Sequence, residues 1–206
     1  MDSGLTKSRI EALCDGVFAI AMTLMAFNVK VPSRSGGSGA VSLAAALFEL
    51  WPQFLTYIIS FVILGVYWIG HHNQFHYIRR SDRVLLWINI IFLMFLTAIP
   101  FSTGVLGEYP NDQIAVVVYG SNLLLVGLLL YCQWWYATSK HHLTDPGLDP
   151  AIVTMAKKRI LIGPCILLLA IAVSYLNTKF SILIFAVLPV IYIIPGRIDQ
   201  HWSPRE

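Results

Sequence analysis

The chain has 206 residues, of which 57% are apolar and only 12% charged, with a formal net charge of +3. So little charge on so much apolar surface excludes an ordinary soluble domain or a disordered chain and points to a polytopic membrane protein. The small positive balance needs no nucleic-acid partner, because the basic residues gather in a few loops.

The first apolar run, residues 9–31, is long enough at about 1.5 Å per helical residue to cross a hydrocarbon core of about 30 Å. It is expected to be a retained span and not a cleaved signal, since acidic residues interrupt it and a small-residue cleavage site is lacking. Arg9, Glu11 and Asp15 stand at its front end. Charges at such depth are costly unless they meet protein, water or headgroups, so Arg9 and Glu11 belong at the headgroups or, with Asp15, in a polar network. Farther along, Ile20, Leu24 and Phe27 fall on one stripe at spacings of four and three, with Thr23 beside it. Periodicity alone leaves that stripe facing lipid or another helix.

A Gly/Ser-rich outer loop, PSRSGGSG, follows, and AVSLAAALFEL is expected to form a short helix leading into the second span. Further runs at about 50–70, 84–106, 114–137, 160–176 and 180–194 bring the total to six transmembrane helices. The expected fold is therefore all-α, with one six-helix domain over residues 1–206 and no internal repeat. The last two helices are short and are read as a hairpin about Asn177-Thr178-Lys179, with Pro189 bending the sixth. Arg79, Arg80 and Arg83 fall in the second loop, Lys140, Lys157, Lys158 and Arg159 in the fourth, and Lys7, Arg9, Arg197 and Arg205 near the termini. The opposite side holds Lys30, Arg34 and Lys179, so the positive-inside rule makes both termini cytoplasmic.

Cys14, Cys132 and Cys165 all lie within predicted helices without metal-ligand spacing, and no metal site is expected. The segment WIGHHNQFHYIRRSDRVLLWIN places His71, His72 and Asp82 where the second helix ends and the third begins. Adjacent histidines on a helix point about 100° apart, which suits interfacial positions better than a shared ion. Val118-Tyr119-Gly120 echoes the filter of ordinary potassium channels, but it lies within a long apolar helix and not in a re-entrant loop. No Ser/His/Asp set, phosphate loop or carboxylate pair has usable spacing, so the chain is not expected to be an enzyme.

Arg9, three residues, then Leu13-Cys14-Asp15 resembles the first-helix signature Arg-x-x-x-Phe-Ser-Asp of the transmembrane protein 175 family, the endosomal and lysosomal potassium channels and their prokaryotic homologues. Leu13 replaces the family's Phe and Cys14 its Ser, and a thiol is the weaker hydrogen-bonding group. GVFAIAMTL, the His-to-Asp segment, LMFLTAIPFSTGVL and VVVYGSNLLLVGLLLY extend the likeness over roughly Lys7 to Ala137. The resemblance implies a prokaryotic, multi-pass plasma-membrane channel that passes potassium in preference to sodium, built as a homotetramer with the first helices around the pore. It implies that Ile20 forms the narrowest ring, with Leu24 and Phe27 outward of it and Thr23 adding hydroxyls. It also implies a network of Arg9, Cys14 and Asp15 with Asp82 and either His71 or His72, His72 being preferred. The implied partners are other copies of the chain, the bilayer and the permeant potassium ion, with no cofactor. The rival reading is a proton- or cation-coupled secondary transporter using Asp15 and the His71/His72 region, against which stands the lack of a repeat or of a broken helix pair.

Overall fold

The computed structural model describes residues 7–32, 42–139 and 143–193. Within them α1 (Lys7–Leu24) runs into a turn of 3-10 helix (Met25–Asn28), followed by α2 (Leu43–Glu49), α3 (Trp51–Tyr77) and α4 (Arg83–Thr97). Then come α5 (Ile99–Glu108), α6 (Gln113–Thr138), α7 (Pro150–Ser174) and α8 (Thr178–Ile193). The described residues contain no strand, only an isolated bridge between Ile78 and Thr144. Four stretches, Lys7–Asn28, Trp51–Tyr77, Arg83–Glu108 and Gln113–Thr138, are long and apolar enough to cross a membrane. The chain is thus an all-helical membrane protein. Lys140, His141, His142, Arg197, Arg205 and most of the Gly/Ser-rich loop, including Arg34, lie outside the described residues.

Short polar side chains start most of these helices by accepting from the otherwise unpaired N–H groups of the first turn. Ser42 caps α2 by accepting from the Ala45 amide at 3.3 Å, Asp82 caps α4 through Leu85 at 2.8 Å, and Asp112 caps α6 through Ile114 at 2.7 Å. Asp149 caps α7 through Ala151 at 2.8 Å, and Asn177 accepts from Lys179 at 2.9 Å where α8 begins.

Capping explains two departures from the sequence reading. With Asp149 as cap and Pro150 as first residue, the fifth helix starts at Pro150 and not near Ile160, so Lys157, Lys158 and Arg159 lie on helix and not in a loop. The hairpin turn closes earlier than expected, over Tyr175 to Asn177, and Thr178 and Lys179 already belong to α8. Proline explains a third. The single helix expected over 84–106 divides at Ala98, because Pro100 has no N–H to continue the ladder and the Ala98 N–H turns to the Phe95 carbonyl at 3.2 Å.

Apolar packing and interhelical hydrogen bonds hold the bundle, and in lipid the polar bonds have no competing water. Ser60 and Tyr119 pair at 2.9 Å, Thr103 donates to Ser60 at 2.9 Å, and Asn122 donates to Ser102 at 3.0 Å, joining α3, α5 and α6. Tyr119 is therefore a buried packing residue in mid-helix, with its ring edge-on to Phe185 at 5.1 Å. Beyond the α6 end, the Leu143 carbonyl accepts from both Arg79 and Arg80 amides, at 2.8 and 3.1 Å, which ties the loop after α3 to the loop after α6.

Glycine sets how closely α6 approaches the α7–α8 pair. A Cβ on Gly120 would stand 2.8 Å from Ile171 Cγ1 and 3.1 Å from Phe185 Cζ. Gly120→Leu should force these helices apart at a cost of about 1–3 kcal/mol or more. Gly65→Ala, whose Cβ would meet only Met22 Cε at 3.7 Å, should be tolerated. Thermal unfolding in detergent, followed by circular dichroism, should show a lowered midpoint for the first variant and a near-parental one for the second.

Candidate functional site

Helix α1 has two faces. Ile10, Cys14, Phe18 and Ala21, followed by Met25 in the 3-10 turn, recur every three or four residues and are buried against the rest of the bundle. On the other face Ile20, Leu24 and Phe27 are 58%, 47% and 81% exposed. Thr23 is exposed beside them, and its hydroxyl donates to the Ile20 carbonyl at 2.9 Å, so its oxygen lone pairs stay available at the surface. The stripe expected from the sequence is thus one continuous, largely exposed face of the helix.

The packed face is held by a buried polar hub centred on Asn89 of α4. Asn89 Nδ2 donates to Cys14 Sγ at 3.2 Å, and its Oδ1 accepts from Gln133 Nε2 of α6 at 2.8 Å. The same oxygen meets His71 Nε2 of α3 at 3.2 Å and Cys14 Sγ at 3.5 Å. An amide oxygen only accepts, so Nε2 is the protonated nitrogen of His71. Phe75 and Phe92 stack on the His71 ring with centroids at 4.4 and 5.6 Å, fixing its plane. One asparagine therefore joins α1, α3, α4 and α6.

The other expected site residues occupy separate places. His71 is the buried histidine, whereas His72, preferred in the sequence reading, is exposed one helical step away with its ring 6.0 Å from that of Trp68. Asp15 is exposed and accepts from Trp68 Nε1 at 2.8 Å, giving α1 a second tie to α3. Asp82 accepts from its own capped helix and, through Oδ2, from the Tyr136 hydroxyl at 2.6 Å. Arg9 is exposed, and no ion pair joins it to Asp15, Asp82 or any other described residue; the nearby pair is Lys7–Glu11 at 3.8 Å.

At its far end α1 is clasped again. Asn28 Nδ2 donates to the Pro100 carbonyl at 2.7 Å and occupies the space that a Cβ on Gly104 would enter, 2.9 Å from Asn28 Oδ1. Lys30 pairs with Glu108 at 3.3 Å, and Gln53 donates to the same carboxylate at 3.4 Å. Sequence reasoning missed Asn89, Gln133 and Asn28. The available signal was a lone amide inside an apolar run, as in LLWINIIF, because an unpaired amide is costly in hydrocarbon. Cys14, Cys132 and Cys165 are free, and no three His, Cys, Asp or Glu side chains among the described residues converge to hold a metal ion.

These features define a polytopic helical membrane protein whose first helix is fixed along one face and bare along the other. The sequence pattern of the family described as endosomal/lysosomal potassium channel TMEM175 matches residues 9–100. A potassium channel of Streptomyces collinus is 32% identical over 190 residues, covering 90% of this chain and 91% of that one. The endosomal/lysosomal proton channel TMEM175 of Mus musculus is 30% identical over 200 residues, but these are only 40% of its length. The crystal structure of a lysosomal potassium-selective channel TMEM175 homolog from Chamaesiphon minutus superposes with a TM-score of 0.81 at 31% identity, covering 91% of this chain and 96% of that one. The chain belongs to the TMEM175 family, a family of ion channels and not of enzymes.

Removing the hub amide should cost more than its bonds are worth. An interhelical hydrogen bond in a membrane protein contributes about 0.6 kcal/mol on average, whereas each buried group left without a partner costs about 1–3 kcal/mol. Asn89→Leu strands both His71 and Gln133, so a loss on the order of 3 kcal/mol is expected. Cys14→Ser keeps a donor and an acceptor at that position and should unfold at or above the parental temperature. Equal unfolding temperatures for Asn89→Leu and the parent would remove the hub from the account of what holds α1.

Proposed function

We propose that the chain is one subunit of a homotetrameric, potassium-selective cation channel in which the first helix of each copy lines a shared axis. The observation that carries this reading is the pair of faces on α1: large apolar side chains stand bare on one side while Asn89 and Asn28 bind the other to the bundle. A helix held this way offers its exposed stripe to something outside the subunit, and a closed ring of like copies is the usual symmetric solution. Potassium is supported by the names of the bacterial relatives and of the structural neighbour from Chamaesiphon minutus.

On this reading Ile20 makes the narrowest ring, Leu24 and Phe27 make wider rings outward of it, and the Thr23 oxygens lie between. An apolar ring supplies no carbonyls to replace water, so an ion must carry its hydration shell or shed part of it briefly. Potassium is the more weakly hydrated ion and loses less. Arg9, exposed and outside any ion pair with a described residue, is left to act across a subunit boundary, with Cys14, Asp15, His71, His72 and Asp82 supporting the pore helix behind it. Helices α7 and α8 complete six spans of a single domain in the plasma membrane of a prokaryote. Both termini then lie on the cytoplasmic side, a reading supported by the bond at Leu143 that ties the loop of Arg79 and Arg80 to the loop leading into α7, whose early turns carry Lys157, Lys158 and Arg159.

The test is a bi-ionic reversal potential on the reconstituted channel. Ile20→Asn should lower the dehydration barrier for both ions, and more for sodium, shrinking the potassium preference severalfold. Met22→Leu, on a half-buried position beside Gly65, should leave it unchanged. An Ile20→Asn channel with parental selectivity rules out the apolar filter. Crosslinking in detergent should stop at tetramer, and a species that stops at dimer would contradict the ring.

A further inference from the structure

Beyond the outer end of the exposed stripe of α1, the chain closes a ring of polar contacts. Lys30, three residues after Phe27, pairs through Nζ with Glu108 Oε2 at 3.3 Å, the two side chains being 71% and 44% exposed. The Lys30 amide donates to Gln53 Oε1 at 3.3 Å, and Gln53 Nε2 donates to the same Glu108 oxygen at 3.4 Å. One carboxamide near the start of α3 thus joins the backbone of the lysine to the carboxylate that ends α5. Gly107 brings those two helices together there: a Cβ on it would stand 2.9 Å from Thr56 Oγ1 and 3.3 Å from Gln53 Cα.

An exposed ion pair adds little to folding, because water and salt screen it and two long side chains must be ordered to make it. Its place matters more here. Three residues of chain span at most about 11 Å, so the Lys30 backbone stands within that distance of Phe27. The Debye length is about 10 Å at 0.1 M salt and about 3 Å at 1 M. A bare charge at Lys30 therefore acts on an ion beside Phe27 in dilute salt and is hidden from it in concentrated salt. Lys30, Arg34 and Lys179 are the bases assigned to this side of the membrane, and Lys30 is the nearest of them in sequence to the stripe. Of the other carboxylates on that side, Glu49 ends α2 and Asp112 caps α6, and neither forms an ion pair with Lys30.

We propose that Glu108, positioned by Gln53, sets the electrostatic field at the outer mouth of the pore: by holding the Lys30 ammonium, it keeps a ring of unopposed positive charge from facing the entering cation. Such a ring would repel potassium and slow its entry, because low-dielectric walls focus the field of nearby charges onto the path of the ion. The proposal rests on the reading that α1 lines a shared axis. It assigns Glu108 and Lys30 to the rate of entry and not to the choice between potassium and sodium, since two monovalent ions feel the same field.

The experiment records single-channel currents of the full-length protein in planar bilayers, in symmetric potassium chloride of about 0.02 M and of about 1 M. Glu108→Gln should cut the current entering from the outer side about threefold or more in the dilute solution and leave it near parental in the concentrated one. Lys30→Gln should raise that current in dilute salt. Added to Glu108→Gln, it should restore the parental current, which the loss of a merely structural contact would not allow. Every one of these variants should keep the parental reversal potential between potassium and sodium. A parental current for Glu108→Gln in dilute salt, an equal loss in both solutions, or a loss that Lys30→Gln does not reverse overturns the proposal. Should Glu108→Gln fail to fold, Lys30→Gln alone decides, and a parental current in dilute salt overturns it. A parent that passes no potassium overturns the channel reading and this proposal with it, whereas a silent Glu108→Gln beside an Ile20→Asn that loses selectivity removes this proposal and leaves that reading standing.

Discussion

Hydrocarbon offers no substitute partner to an amide, and the bundle is arranged around meeting that demand at Asn89. The side chain has one acceptor oxygen and one donor group, and the structure spends both on three other helices. Because Cys14 is one of those partners, the rotation of α1 about its own axis is set together with the packing of α3, α4 and α6. Phe18, Ala21 and Met25 then follow Cys14 into the core by helical periodicity, and Ile20, Leu24 and Phe27 are necessarily turned away from it. Rotating α1 would strand the hub and bury the wrong side chains at the same time.

The far end of the same helix is controlled by a different device. Pro100 interrupts the third span, and its carbonyl accepts from Asn28 where the turn after α1 ends. Gly104 leaves room for that amide, and the Lys30–Glu108 pair closes the edge. Anchors thus stand toward both ends of a stretch whose middle is free on one side. That division suits the proposed pore, since the bare side chains keep their geometry without contacts of their own.

The other half of the bundle is built for closeness of a different kind. Gly120 and Gly127 let α6 touch α7, and Gly163 admits the Tyr192 hydroxyl that ties α7 to α8. Where α3 does not follow that close contact, a cavity of about 670 Å³ remains. Both halves share α3, whose Trp68 both donates to Asp15 and lines the cavity between α3, α6, α7 and α8.

Membrane class, helical content and the alignment of Ile20, Leu24 and Phe27 on one stripe of α1 were legible in the sequence, because they depend on composition and on a local period of 3.6 residues; that the stripe is exposed was not. The caps were not read from the sequence: Asp82, Asp112, Asp149 and Asn177 stand there as network, loop or turn residues, and Asp149 with Pro150 explains why the fifth helix starts so early. Which of two adjacent histidines turns inward was not legible, since that depends on the azimuth of α3, which its neighbours decide. Nor was the hub itself: Cys14 and Asn89 are 75 residues apart, and no local rule links a thiol in one helix to an amide in another. The sequence alone determined that α1 is long and apolar enough to cross a bilayer and carries Ile20, Leu24 and Phe27 on one stripe. Only the tertiary structure decided which face is held and by what, because hydrogen-bond partners in a bundle are chosen by the packing of whole helices.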